Sequence, residues 1–320
     1  MSFISAAFAC MIDGDYTESL QTPGKTREET EETSMNNTAE NRRPSFQYNR
    51  FADLFYHLLA HMPLDNAADE YDPEYVKAME EKLGVSPDIP QEVIDYYGAH
   101  FDRVMIADFI ALTVPDTWTF KGTLAGCGML MEEDMTAFVD PLIRICNRMA
   151  EKFNPWWDAH HAEMTTRRAE TVYARFREMT ERFAGFFDNL GLEAKVLFSY
   201  TLRNNGRAFN QPGTITVYLA FPETDEEITE CFLQYLHECT HSITDPMMNG
   251  NILMADGSHD IAEYQVLCFD EYLIDALCPE LSQTYRKWVE QEYLDDAHKA
   301  LGEAGEARLK ERLKQMLAKE

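Results

Sequence analysis

The sequence predicts a mainly helical α+β protein with a small antiparallel sheet next to the helix that carries its most informative motif. Three observations support this fold class. Apolar residues recur at helical spacing through most of the chain from residue 51 onward. Polarity alternates with a period of two only in segments between residues 194 and 221. An H-E-x-x-H motif follows at positions 237–241.

The charge of the chain excludes several classes of function. The 320 residues carry a formal net charge of −28, which is unfavourable for binding nucleic acid or an anionic membrane surface. A well-solvated acidic surface is the ordinary explanation of such a charge, and a preference for basic substrates is the alternative. The sequence contains no stretch that is long and apolar enough to span a membrane.

The cysteines and the first residues bear on the cellular compartment. Seven cysteines are scattered through the chain, and an odd, widely spaced set is not typical of a disulfide framework. Free buried thiols are expected instead, which favours a reducing compartment. Met1–Ile12 is apolar but short and lacks the basic n-region of a signal peptide. We therefore expect a cytoplasmic protein.

The distribution of residue types divides the chain into three regions. Residues 15–46 are rich in threonine, glutamate, asparagine and serine, so we interpret residues 1–46 as a disordered or loosely docked tail. Residues 47–190 form a helical region, and residues 191–320 form the region with the motif. Residues 47–320 can equally form one compact unit.

Helices are predicted where apolar residues keep helical spacing between cap and breaker residues. Gly122–Gly128 is expected to be a flexible turn, and Phe153–Trp157 is expected to interrupt the helical pattern. His57 and His61 are four residues apart and could hold a metal, although packing is the expected role. The predicted helices are Phe51–His61, Pro73–Leu83, Gln91–Leu112, Glu132–Ala150 and Asp158–Leu190, with two more between Leu281 and Lys319.

Two strands are predicted between the helical region and the motif. Ala194–Leu202 and Thr214–Phe221 alternate in polarity and are rich in β-branched and aromatic residues. Turn-forming residues at Asn204-Asn205-Gly206 and Pro212-Gly213 separate them. The sequence therefore predicts a small antiparallel sheet, which Pro222 ends just before the motif helix.

The H-E-x-x-H motif lies near the end of a helix whose boundaries are both marked in the sequence. Thr224 and Glu227 form a T-x-x-E capping box at its start, and Asp245 precedes the proline that stops it. Residues four apart on a helix lie one above the other. The imidazoles of His237 and His241 can therefore converge on one metal ion.

The glutamate of the motif has a different position. Glu238 follows the first histidine by about 100° of helix rotation. This offset keeps its carboxylate off the metal but beside an open coordination position. There it can accept a proton from an attacking water molecule.

A sheet that leads into an H-E-x-x-H helix, followed by a loop and a returning helix, resembles the zincin metallopeptidases and, within them, the gluzincin branch. The resemblance covers roughly residues 197–277 and is specific at the three motif residues. The metzincin continuation is absent, because Thr244 and Met247 stand where its glycine and third histidine belong. The resemblance implies that an edge strand holds an extended peptide and that an acidic residue of the returning helix completes a zinc site.

The third ligand is expected on the returning helix, which is predicted from Ser258 to about Leu277. The E-x-x-x-D pattern of the thermolysin-like enzymes is matched by Glu271 and Asp275. The candidates on this helix are Glu263, Glu271, Asp260 and His259.

The depth of the motif favours Glu263 over Glu271. His241 and His237 lie about 6 and 12 Å from the end of their helix, a depth that an antiparallel partner reaches near Glu263. Glu271 would lie about 20 Å in, beyond both histidines. Asp270 follows Glu263 by seven residues and falls on nearly the same face, so it is expected to hydrogen-bond to His237.

Together these expectations describe a zinc metallopeptidase that acts on a peptide or protein substrate. Zinc held by His237, His241 and Glu263 would polarise the scissile carbonyl, while Glu238 acts as general base and then protonates the leaving amine. One alternative is a non-catalytic helical binding or scaffold protein that holds a structural metal or none, and another is an enzyme that hydrolyses a non-peptide amide. The candidates for an oxyanion donor, none of them favoured, are Tyr264, His259, Tyr272 and Tyr293.

Overall fold

The computed structural model of the protein describes residues 44–64, 71–203, 206–211, 213–247 and 258–318. The predicted tail, residues 1–46, lies almost entirely outside the described residues. The described chain begins with a short strand, β1 (Ser45–Tyr48), for which the sequence offered no clear pattern.

Helices make up most of the structure. The segment Gln91–Leu112, predicted as one helix, is divided among three. Short π-helical turns at Met135–Val139 and Thr165–Ala169 connect neighbouring α-helices into longer continuous helical segments. In chain order up to the main strands the helices are α1 (Arg50–Leu59), α2 (Pro73–Leu83), α3 (Gln91–Ala99), α4 (Phe101–Val104), α5 (Ile106–Thr113), α6 (Thr117–Gly126), α7 (Glu132–Asp134), α8 (Asp140–Met164), α9 (Glu170–Arg182) and α10 (Ala184–Leu190).

Two segments predicted as a turn and a break are helical in the structure. The predicted turn at Gly122–Gly128 belongs largely to α6, because Phe120 and Leu124 bury one face of that helix. The predicted break at Phe153–Trp157 is also helical, and Pro155 lies inside α8. Burial of the flanking aromatic side chains offsets the backbone hydrogen bond that a proline cannot donate.

The sheet is mixed, which corrects the prediction of an antiparallel sheet. Besides β1 it contains β2 (Glu193–Ser199), β3 (Arg207–Gln211) and β4 (Thr214–Ala220), and among the described residues the order is β1-β2-β4-β3. β2 is parallel to β1 and to β4, and only β3 and β4 form an antiparallel hairpin. The prediction was wrong because the segment taken as a turn contains β3, which reverses the chain once more.

A hydrophobic core joins the helices before the sheet to those after it. It includes, from successive elements, Phe55, Phe153, Val196, Phe232 and Phe269. Core packing therefore continues across residue 190. Within the described part of the chain, none of the helices combines the length and apolar composition needed to cross a bilayer.

A buried carboxylate ties the first helix to the sheet. Asp53 of α1 is fully buried. Its carboxylate accepts hydrogen bonds from four side chains: Trp157 Nε1 at 2.6 Å, Ser199 Oγ at 2.5 Å, Tyr218 Oη at 2.7 Å and Thr201 Oγ1 at 3.3 Å. This network fixes the end of β2, from which the chain continues towards Gly206 and the candidate site.

The remaining helices surround that site. α11 (Asp225–Thr244) packs on β4 and is followed by a 3-10 turn at Asp245–Met247. α12 (Ser258–Leu277) returns between α11 and the C-terminal helix. The chain then forms α13 (Ser282–Val289) and α14 (Gln291–Leu317). The bounds of α11 and α12 agree with the sequence prediction.

Candidate metal centre

The capping box predicted at the start of α11 is present. The amide of Glu227 donates to the side chain of Thr224, and the Glu227 carboxylate accepts from the amide of Thr224. These bonds satisfy amides that the helix itself cannot satisfy. They fix the start of α11, so that the motif lies in about its last two turns.

His237 and His241 of α11 converge with Glu263 of α12. Nε2 of His237 lies 3.2 Å from Oε1 of Glu263, and Nε2 of His241 lies 3.7 Å from Oε2. The three ligand atoms lie within 4.8 Å of one another. Two ligand atoms on a tetrahedral metal with bonds of about 2.0–2.1 Å are about 3.3 Å apart, so small side-chain shifts suffice. This buried group can hold a metal ion.

A carboxylate orients each histidine through its other ring nitrogen. Nδ1 of His237 lies 3.1 Å from Asp270, and Nδ1 of His241 lies 3.0 Å from Asp245. Thr240 donates a 2.6 Å hydrogen bond to the second oxygen of Asp270. An imidazole whose Nδ1–H is held by a carboxylate presents the lone pair of Nε2, as metal-binding histidines do.

The electrostatics of the centre favour a cation. Burial alone lowers the pKa of His237, but the carboxylates of Glu263 and Asp270 raise it well above its usual value. Burial likewise lowers the pKa of His241, and Asp245 raises it above the ordinary value. Nε2 of His241 is buried and makes no hydrogen bond to any described residue. Two imidazoles with a carboxylate are a donor set that suits zinc and related metals.

Glu238 lies beside the three ligands. It is 2% exposed, and its Oε1 accepts a 2.9 Å hydrogen bond from Gln234. Its Oε2 is buried and has no hydrogen-bond partner within the described part of the chain. Burial raises the pKa of this carboxyl, an effect that the two motif histidines oppose. A carboxyl with an uncommitted oxygen and a raised pKa is suited to proton transfer.

The residue just before β3 lies against Glu238. A Cβ atom on Gly206 would lie 3.1 Å from Oε1 of Glu238 and 2.9 Å from Cγ of Gln234, so glycine is the residue that fits. The next residue, Arg207, is 2% exposed, and its positive charge opposes the effect of burial on the pKa of Glu238. This strand therefore shapes the surroundings of the motif glutamate.

A cleft of about 530 Å³ opens beside Glu238. Gly206, Gln234 and Trp288 line it, and the first two contact Glu238. The ring of Trp288 is edge-on to that of His237, with centroids 6.1 Å apart. The cleft thus reaches neighbours of the motif glutamate and of the first candidate ligand, while its described lining does not include Glu238 or the three ligands.

The other candidate ligands on α12 have different surroundings. Glu271 receives hydrogen bonds from Nε of Arg286 and Nε2 of His298, both at 2.7 Å, and so is engaged with α13 and α14. The side chains of His259 and Asp260 lie outside the described residues.

The tyrosines considered as oxyanion donors contact other residues. The rings of Tyr264 and Tyr293 pack against each other with centroids 5.6 Å apart. The hydroxyl of Tyr272 lies 3.4 Å from Nδ1 of His298. These contacts do not direct the tyrosines to the ligand group, and we assign no oxyanion donor among them.

The pair His57 and His61 packs inside the helical region. Nδ1 of His57 lies 3.0 Å from the hydroxyl of Tyr75, and Nδ1 of His61 donates to the backbone carbonyl of His57 at 2.7 Å. In the described ranges the pair does not join a third side chain in a metal-binding group. Its contacts agree with the expected packing role.

Three residues near the centre were missed by sequence reasoning. Asp245 was interpreted only as the end of the helix, although its position four residues after His241 is a usable signal. Gly206 and Trp288 come from distant elements, and their sequence neighbourhood does not point to the site. Only the tertiary structure brings them there.

Comparisons of the chain with models of protein families, with curated proteins and with solved structures find no match.

Proposed function

We propose that this protein is a zinc-dependent metallopeptidase of gluzincin-like type. The observation that carries the proposal is the convergence of His237, His241 and Glu263 beside Glu238, with each imidazole oriented by a carboxylate. Two histidines and a glutamate form a known ligand set of catalytic zinc, which leaves a fourth position for water. When bound, zinc would polarise the scissile carbonyl and lower the pKa of the attacking water.

In this mechanism Glu238 moves the proton. Its uncommitted Oε2 accepts a proton from the attacking water, and the carboxyl then returns it to the leaving amine. The hydrogen bond from Gln234 holds Oε1 and so fixes the direction of the other oxygen. Burial raises the pKa of Glu238, which makes its carboxylate a stronger base than an exposed one.

The burial of the centre favours one alternative, a structural metal in a non-catalytic binding or scaffold protein. His237, His241 and Glu263 are each at most 2% exposed, and structural metals occupy closed sites. Structural zinc is, however, almost always bound by four protein ligands. The metal-binding group found among the described residues has three.

Metal analysis combined with cleavage of a diverse peptide library tests the proposal. We expect the purified protein to hold one zinc ion and to cleave library peptides, with cleavage lost on chelation and restored by zinc. Cleavage-site profiling by mass spectrometry also reveals sequence preference. Tightly held zinc without cleavage of any peptide would support the structural alternative. A protein that binds no zinc would contradict both metal-binding proposals and would leave a binding or scaffold protein without a metal.

A further inference from the structure

One face of α11 lines the cleft and ends next to Glu238, which lies beside the metal centre. Four residues of this helix line the cleft, and their spacing of three and four places them in one stripe. The stripe ends at Gln234, which is hydrogen-bonded to Glu238. The four residues are Glu227, Glu230, Cys231 and Gln234.

The stripe has the length of a short extended peptide. Glu230 precedes Glu238 by eight residues, which corresponds to about 12 Å along the helix axis. An extended peptide advances about 3.3 Å per residue, so this distance corresponds to three or four residues. In an extended peptide bound along the stripe, a side chain that contacts Glu230 therefore lies three or four residues from the peptide bond held beside Glu238.

The wall of the cleft formed by α11 and the segment before it is acidic. Glu223 and Glu230 are exposed at this wall, whereas the carboxylate of Glu227 is committed to the capping box. Arg203 and Lys82 lie among the other lining residues. The acidic and the basic residues of the cleft thus come from different elements. The acidic ones lie on or just before α11, the helix that carries the motif.

The basic side of the cleft is partly engaged with the protein. The guanidinium of Arg203 lies 5.0 Å from the ring centroid of Tyr75 and donates a 3.3 Å hydrogen bond to the carbonyl of Tyr200. These contacts direct it towards α2. Of the two acidic residues on the stripe, Glu227 belongs to the capping box, which leaves Glu230 as the one to meet a charged group along it.

We infer that the cleft receives extended peptide segments that carry lysine or arginine, with the basic side chain at Glu230. The inference rests on the proposed function, because it takes the cleft as the substrate site of the metal centre. The buried, uncommitted Oε2 of Glu238 is an independent sign of a ligand at the inner end. The net charge of −28 also attracts a cationic peptide over longer distances.

A binding measurement separates this inference from catalysis. Two peptide pools of about ten residues, each with a neutral fluorophore, are identical except for lysine or arginine versus glutamine at one fixed position. Their binding to the full-length Glu238→Gln protein is followed by fluorescence anisotropy. We expect the basic pool to bind about fivefold more tightly, the upper range for an exposed ion pair, and to lose this advantage at high salt. Equal binding of the two pools overturns the inference.

Substitutions in the same background locate the effect. Glu230→Gln should remove the advantage of the basic pool, and Arg203→Gln should increase it because a competing cation is lost. Glu226→Gln is the matched control, since Glu226 is exposed on the same helix and does not belong to the described lining of the cleft. An advantage that persists in Glu230→Gln, or that falls equally in Glu226→Gln, contradicts the assignment.

Hydrolysis is measured separately with the unsubstituted protein. If the basic pool binds through Glu230 but zinc-loaded protein cleaves neither pool, the cleft assignment stands and the proposed function fails. If both pools are cleaved at equal rates and bind equally, the proposed function stands and the inference about basic side chains fails.

Discussion

Two buried polar clusters in this molecule differ in their balance of hydrogen-bond donors and acceptors. In the first, the single carboxylate of Asp53 is met by an indole N–H, by hydroxyl groups and by the backbone amide of Tyr200 at 3.3 Å. In the second, buried carboxylates outnumber the cationic groups around them. Its members are the acids Glu238, Asp245, Glu263 and Asp270, the histidines His237 and His241, and Arg207.

This difference distinguishes a structural network from a ligand site. The protein itself satisfies the first cluster, which therefore joins helix to sheet without any added group. Without a metal, protonation of His237 and His241, whose pKa values are raised, offsets part of the negative charge of the second cluster. With both imidazoles neutral, as metal ligation requires, four carboxylates are opposed by one guanidinium, which leaves an excess of three negative charges. A divalent cation reduces that excess to one. Buried unpaired charge costs several kcal/mol per ion, so a bound cation stabilises this cluster.

The largest expected effect comes from removing a ligand. In Glu263→Ala two imidazoles remain, which is too few for a stable zinc site. We expect the metal content after dialysis against a weak chelator to fall nearly to zero, as measured by elemental analysis. The rise in melting temperature that metal gives the unsubstituted protein should disappear as well, because that rise depends on binding to the folded state.

Glu271→Ala is the matched control for that experiment. Glu271 lies on the same helix and is also buried, but its carboxylate is bonded to Arg286 and His298. The variant should lose some stability and keep its metal. Loss of metal in Glu271→Ala with retention in Glu263→Ala would show that the ligand group is assigned incorrectly.

The next effect concerns turnover alone. Glu238→Gln keeps the shape of the side chain and removes its ability to take up a proton, so turnover should fall by about 10²–10⁴-fold. Metal content should not change, because Glu238 lies beside the ligands. Peptide cleavage and elemental analysis on the same preparation check both points. Joint loss of metal and activity would make Glu238 a ligand.

A further substitution tests the first cluster. Asp53→Ala leaves the indole N–H of Trp157 and the amide of Tyr200 without their acceptor, at about 1–3 kcal/mol for each buried group. We expect the free energy of unfolding, measured in urea, to fall by about 3 kcal/mol. Metal content of the folded protein should stay the same. A variant that folds normally but loses metal would show that the two clusters are not independent.

The features that could be predicted from the sequence are those fixed by residues close to one another in the chain. Local signals sufficed for α11, because Thr224, Glu227 and the proline after Asp245 mark its ends. The rise per residue then sufficed to choose Glu263, which the structure brings to the histidines. The parallel direction of β2 and β4 was missed, because β3 is short and was taken for a turn.

The residues around the candidate ligands were less accessible to sequence reasoning. Asp270 was expected beside His237, since it shares a helical face with Glu263, and the structure shows that hydrogen bond. Gly206 and Trp288 reach the site through the sheet and α13, and pairing of this kind leaves no periodicity in the sequence. The donor-rich surroundings of Asp53 could not be predicted for the same reason, since its partners follow it by more than 100 residues.

The smallest predicted effect concerns the carboxylates that orient the histidines. Asp270→Asn keeps a hydrogen-bond acceptor for Nδ1 of His237 but removes the negative charge, and loss of such a partner typically weakens metal binding by about 10–100-fold. Competition with a chromophoric zinc chelator at neutral pH measures the change. Asp245→Asn should act in the same direction but less, because Asp245 is 7% exposed and Asp270 only 1%. Unchanged zinc affinity in both variants, with a lower free energy of unfolding, would mean that these carboxylates serve the fold as Asp53 does.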